Sequence, residues 1–258
     1  MMTPRQKYIA FQTVVIKEVL RFSRIWVQTI LPPVITTSLY FIIFGRLIGA
    51  RIGKMDGFNY MEFIVPGLIM MAVITNSYSN VVSSFFGSKF QRSIEELLVS
   101  PMPNYLILLG FVAGGLARGL AVGLAVTVVA LFFSHLGISH PLVACTTVVL
   151  TSVLFSLAGF INAVFAKSFD DISIVPTFVL TPLTYLGGVF YSIKMLPTFW
   201  QHASLANPIL YMVNAFRYGF LGVSDIPLSV SYGIVLGFIA VLFVVSLQLL
   251  RRGVGVRS

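Results

Sequence analysis

Gly87-Ser88-Lys89-Phe90-Gln91-Arg92-Ser93-Ile94-Glu95-Glu96-Leu97-Leu98-Val99-Ser100-Pro101-Met102-Pro103-Asn104 is a polar island between two long apolar runs. It carries Lys89, Arg92, Glu95 and Glu96, although charged residues make up only 10% of the chain. Within it Phe90, Ile94, Leu97 and Leu98 recur at i, i+4, i+7 and i+8, which is one face of a short amphipathic helix. Ser100-Pro101 and Met102-Pro103 stop that helix, because the residue before a proline is pushed out of the helical region. A short helix held between two membrane spans is too small to be a domain. It suits a docking handle for another protein.

The bulk composition places the whole chain in a membrane. Of its 258 residues 57% are hydrophobic, and the mean hydropathy is +0.96. A soluble domain is about 45–50% apolar and about 25% charged. Several apolar runs of span length make the protein multi-pass. The net charge of +9 raises nucleic acid as a partner. The Lys and Arg gather in particular loops, however, which is the positive-inside pattern, and no nucleic-acid partner is expected. A single cysteine, Cys145, lies inside an apolar run. It excludes a disulfide framework and a cysteine metal site.

Residues 1–25 form an amphipathic interface helix. Tyr8, Phe11, Val15, Val19, Phe22 and Trp26 keep helical spacing, and Lys17, Arg21 and Arg24 form a separate basic row directed at anionic headgroups. Charges continue through Arg24 without a cleavage site, which excludes a signal peptide. Spans are expected at about 26–44, 63–86, 105–133, 142–166, 172–191 and 230–250, followed by a basic tail, 251–258. Pro32-Pro33 kink the first span, which membranes tolerate where neighbours cover the gap. A loop with Arg46, Arg51, Lys54 and Asp56 follows it. In span three Gly115, Gly119 and Gly123 form a small-residue ridge that lets helix backbones approach closely. Residues 192–229 are broken by Pro197, Asn207-Pro208, Arg217 and Asp225. They are too short for two crossings and read as helices that dip into the outer leaflet and return, with Phe199, Trp200, Tyr211 and Tyr218 as interfacial aromatics. The expected fold is an all-α polytopic membrane protein of six transmembrane helices.

Loop charge sets the orientation. Arg5, Lys7, Lys17, Arg21, Arg24, Lys89, Arg92, Lys167, Arg251, Arg252 and Arg257 fall on one side, against Arg46, Arg51, Lys54, Lys194 and Arg217 on the other. Both termini, the island and Asp170-Asp171 are therefore expected in the cytoplasm.

Few side chains carry chemistry. Arg118 sits deep in span three, where a charge is expensive and must face the bundle interior or a wet cavity and find a partner. It is either a structural arginine on backbone carbonyls, or a contact to a substrate headgroup or a coupling ion pair. Asn76, Ser77 and Asn80, in the polar middle of span two, either line a pathway or bond between helices. Asp170 is placed to cap the first free amides of span five. His135, His140 and His202 lack metal-ligand spacing, and no protease signature is present. Gly49-Ala50-Arg51-Ile52-Gly53-Lys54-Met55 approaches a P-loop. It is one residue short, lacks the Ser or Thr after the lysine, and lies on the non-cytoplasmic side.

Glu95-Glu96-Leu97-Leu98-Val99-Ser100-Pro101, Arg118-Gly119, and Leu205-Ala206-Asn207-Pro208 followed by Arg217-Tyr218 resemble the ABC-2 family of transporter permeases. The similarity runs over nearly the whole chain. It implies a half-transporter of the bacterial inner membrane, embedded in lipid, that pairs with a second copy and two separate ABC ATPase subunits. Those subunits would hold ATP and Mg, and this chain would bind no cofactor. In that family the loop after span two is the coupling helix that seats in a cleft of the ATPase. Phe90, Arg92, Ile94, Glu95, Glu96, Leu97 and Leu98 are thereby the coupling candidates, and Asp170-Asp171 could help to hold the ATPase. The resemblance also makes Asn207, Pro208 and Arg217 part of a re-entrant pair closing the outer mouth, and the cargo an exported polysaccharide, lipid-linked glycan, drug or other amphiphile. The rival is an ion-gradient-driven secondary transporter or channel. Inverted repeats would pair span one with span four, yet the proline-broken spans are one and five, and no carboxylate lies inside a span to relay protons.

Overall fold

The computed structural model describes residues 2–134 and 137–255. His135 and Arg257 lie outside the described residues. The chain is an all-α polytopic membrane protein, and five helices among the described residues are long and apolar enough to cross a bilayer: Trp26–Ile52, Tyr60–Phe90, Asn104–Ala130, Pro141–Phe165 and Leu228–Arg252. A shorter apolar helix, Asp171–Leu186, stands between the last two. Its helical part rises only about 24 Å at 1.5 Å per residue. It nevertheless runs from one end of the bundle to the other. Phe169 before it packs on Phe86 and Phe90 at the island's end. Phe190 after it accepts a hydrogen bond from the Tyr60 hydroxyl at the start of the second span. Met2 shares a cavity wall with Pro101, and Val254 packs into the cluster of Phe86, Ile94 and Met102. Both described ends of the chain therefore lie at the island's end of the bundle.

The second span, Tyr60–Phe90, is the axis. Buried residues make up 78% of its apolar window, against 17% for the first and last spans at the periphery. The third and fourth spans pack along it. The first span turns at Ile25 and Ile30, and Pro32 and Pro33 stand in the first turn of the segment that follows, where a missing amide costs least. It continues to Ile52, partly in π-helical turns over Phe41–Ile48. Arg46 and Arg51 thus belong to a helix, not to the expected loop. A small antiparallel hairpin, Lys54–Met55 with Phe58–Asn59, then reverses the chain through Asp56 and Gly57, both at positive φ as a two-residue turn requires.

The second span ends at Phe90, later than the expected residue 86. Phe90 therefore sits on the span's last turn and not on the short helix, which runs Ser93–Val99. Arg92 makes the corner at φ 59, in the left-handed region. A side chain there costs about 1 kcal/mol that glycine avoids. Arg92→Gly is expected to raise the melting temperature of the purified protein, and a lowered one would show that the arginine side chain holds the corner.

The amino-terminal helix, Pro4–Arg24, opens on a capping box between Thr3 and Gln6. Its buried row is Val14, Glu18 and Phe22, while Tyr8 and Trp26 of the expected apolar stripe are exposed. The rotation follows from Gly110 and Gly114 on the third span, which leave room for Val14 and Glu18. This helix is docked on the third span.

Candidate functional site

A cavity of about 350 Å³ opens between the first and second spans. The proline-broken part of the first span supplies one wall, with Gln28, Pro33 and Thr36. The second span supplies Asn76 and Ser79, and Arg118 reaches in from the third. Arg118 Nη2 donates to Asn76 Oδ1 at 2.9 Å. Asn76 Nδ2 is itself committed to the Ala72 carbonyl at 2.9 Å, which turns its oxygen toward the guanidinium. Arg118 Nε is buried without an acceptor, and among the described residues no carboxylate pairs with this arginine. The partner it needs at this depth is so far one neutral amide.

One turn along, Asn80 receives a second arginine. Arg21 Nη2 donates to the Asn80 carbonyl at 2.9 Å and to its Oδ1 at 2.8 Å, and Nη1 reaches Ser83 Oγ at 3.4 Å. Arg21 Nε stands 3.4 Å from Glu18 Oε2. Glu18 is 0% exposed and accepts from Ser84 Oγ at 2.7 Å. Arg21 was expected to face lipid headgroups with Lys17 and Arg24; those two are exposed, and Arg21 instead enters the bundle. Glu18 places a carboxylate inside the helical bundle, although on the amino-terminal helix and not on a span. The sequence signal for both was the acid–base spacing at i, i+3 on this helix.

Ser77 faces away from the cavity. It lies with Ser152 of the fourth span against Gly119, and Ser156 lies against Gly115. The glycine ridge brings the second, third and fourth spans into backbone proximity, as its spacing predicts.

At the island, Ile94 is 1% exposed and joins Phe86, Met102, Leu97 and Leu98 in the chain's own core. The face left open holds Glu95 and Glu96, Val99 at 86% exposure, and Phe90 at 66%. Phe90 stacks edge-on against the exposed Phe169, with ring centroids 5.2 Å apart. Lys89 Nζ donates to the Val164 and Ala166 carbonyls at 2.9 and 2.7 Å, tying the base of the island to the end of the fourth span. Asp171, not Asp170, does the capping: its Oδ2 accepts from the amides of Lys167 and Ser168 at 2.8 and 3.0 Å. The acceptor thus closes the turn that carries Phe169, and leaves the fifth helix's own first amides to others.

At the opposite end lie the two helices expected as a re-entrant pair, Thr198–Leu205 and Pro208–Leu221. The segment returns to where it left: Ser192 Oγ donates to Asp225 Oδ2 at 3.1 Å, and Lys194 Nζ pairs with Asp225 Oδ1 at 3.0 Å. That carboxylate holds the Lys194 ammonium above the usual lysine range. Asn207 Oδ1 caps the amide of Ile209, its Nδ2 donates to the Leu183 carbonyl, and Pro208 occupies the first helical position. Arg217 is 2% exposed, not a loop charge. Its Nη2 donates to the Gly188 carbonyl at 2.6 Å, and its guanidinium lies 3.9 Å over the Phe63 ring. A cavity of about 730 Å³ opens beside it, lined by Asp56, Lys194, Tyr218 and Asp225 among others.

The family model of the ABC-2 type transporter matches residues 9–221. The chain belongs to the ABC-2 type transporter family. It is 61% identical to the inner membrane transport permease YadH of Escherichia coli (strain K12), over 97% of this chain and 98% of that one. It is 25% identical to nodulation protein J of Rhizobium leguminosarum bv. viciae over 83% of both chains. Nodulation protein J of Rhizobium meliloti (strain 1021) is 24% identical over 90% of this chain and 89% of its own. The protein is thus an ABC-2 permease, a multi-pass inner-membrane transport component.

Within this permease the island, Arg118, Asn76 and the re-entrant residues were all legible in the sequence as candidates. Phe169, Val99, Glu18 and the inward turn of Arg21 were not. Phe169 is far from the island in sequence, and only the return of the fourth span brings it beside Phe90.

Proposed function

We propose that this permease is the membrane half of an ATP-driven exporter. It pairs with a second copy and with two separate ABC ATPase subunits, which hold ATP and Mg, and it moves an amphiphile out of the cytoplasm or the inner leaflet. The observation that carries this reading is the open face of the island. Phe90 and Phe169 form an exposed aromatic pair at the base of the short helix, which exposes Glu95, Glu96 and Val99 and is anchored in the core by Ile94 on its other face. An apolar centre rimmed by unpaired charge has the composition of a protein interface. Its rigid attachment to the second span would carry a partner's motion to the cavity wall. Loop charge supports a cytoplasmic island and cytoplasmic termini. With Arg217 buried, fewer basic residues remain on the outer side than first counted. The lipid-level cavity beside the first span supports entry of a cargo from within the leaflet.

The test is the double reversal Glu95→Lys with Glu96→Lys in the chain co-expressed with its ATPase. Loss of at least tenfold in co-purified ATPase, about 1.4 kcal/mol of association, is expected together with loss of ATP-driven transport. Transport that continues unchanged would remove the island from coupling.

A further inference from the structure

We infer that the Asn76–Asn80 turn of the second span is a binding subsite for an anionic group, phosphate or carboxylate, carried by an amphiphile, with Arg118 and Arg21 as its two guanidinium donors. The inference rests on the exporter reading only in naming the occupant as cargo.

Asn76 and Asn80 are one helical turn apart, about 6 Å along the axis, and each orients one arginine. Glu18 offsets the charge of Arg21, and nothing among the described residues offsets Arg118. A guanidinium at membrane depth is costly without a counter-charge. Arg118 Nε is also buried without an acceptor, and a buried donor left unpaired is destabilising. The planar fork of donors suits a phosphate or carboxylate held by two oxygens. Ser79 lines both the Arg118 cavity and a second cavity of about 280 Å³, which Ser83, the hydroxyl partner of Arg21, also lines. Leu68, Met71 and Pro32 give the first cavity apolar walls for a chain attached to the anionic group. Arg21 comes from the amino-terminal helix, so movement of that helix would remove one donor from the bound group.

The experiment uses the full chain alone, in nanodiscs of zwitterionic phosphatidylcholine, so that a failure of ATPase coupling cannot influence it. Dodecyl phosphate is titrated against thermal unfolding and radiolabel binding, with dodecyl maltoside and dodecyltrimethylammonium as neutral and cationic controls. Saturable binding of dodecyl phosphate alone is expected. Arg118→Gln and Arg21→Gln should each weaken it at least tenfold. Asn76→Asp places a carboxylate against Arg118, and should abolish binding while the protein stays folded, which keeps the test decisive if an arginine variant fails to assemble. Competition by phosphatidylglycerol in the disc would identify a bilayer lipid as an occupant of the same anion subsite. Binding that resists it would identify the cargo. No saturable binding, a preference for the cation, or unchanged affinity in folded Asn76→Asp would overturn the assignment.

Discussion

Gly119→Leu is expected to eliminate folded permease from the membrane. A Cβ added at Gly119 would fall on Ser77 Oγ of the second span and lie 2.8 Å from Ser152 Oγ of the fourth. Both serines are fully buried, and neither can swing into open space. Even one methyl forces two spans apart, at about 1–3 kcal/mol for overpacking. Leucine adds three more carbons to the same place. Within lipid no hydrophobic gain between helices offsets the loss, because tails are as apolar as side chains, and close packing is most of what holds spans together. The measurement is the yield of monodisperse, protease-resistant protein after extraction. Gly233→Leu on the last span is the control, since an added Cβ there meets nothing within 4 Å. It should accumulate normally. Equal yields from the two variants would show that the glycine ridge is not the packing seam.

Arg217→Ala is expected to lower stability by about 3 kcal/mol, from one unsatisfied buried carbonyl and a lost cation–π contact. The Gly188 carbonyl would lose its donor, and the Phe63 ring would lose the guanidinium above it. Arg217 joins three pieces far apart in sequence: the re-entrant helix, the end of the fifth crossing and the start of the second span. Its removal should therefore loosen the outer end first. Faster proteolysis between Ser192 and Asp225, with the island end unchanged, is the expected pattern. Arg217→Met restores volume without the donors. If it matches the native protein in melting temperature, the arginine serves packing alone.

The candidate residues divide by how their signal is written. Pro32-Pro33, Pro101 and Pro103 act on the backbone next to them, so the broken first span and the end of the island helix could be read directly. The Gly115, Gly119 and Gly123 ridge was legible because its spacing is a property of one helix. Phe90 was misplaced by a turn, since a 3.6-residue periodicity runs through a corner such as Arg92 without recording it. Asp170 was the expected cap of span five, but Asp171 turns back onto the amides of Lys167 and Ser168, and Ser168 Oγ accepts from the Asp171 amide instead.

The sequence by itself determined that this chain crosses a membrane repeatedly, and where the crossings break. Bilayer thickness sets the length of an apolar run, and proline and charge act within a few residues of where they stand. Only the tertiary structure decided which face of each helix turns inward. Arg21 and Glu18 enter the bundle, Tyr8 and Trp26 face outward, and Arg217 is buried although it reads as a loop charge. In lipid an apolar residue is equally at home on either face, so hydrophobicity ceases to mark the inside. The choice passes to small residues on neighbouring helices, and those meet only when the chain has folded.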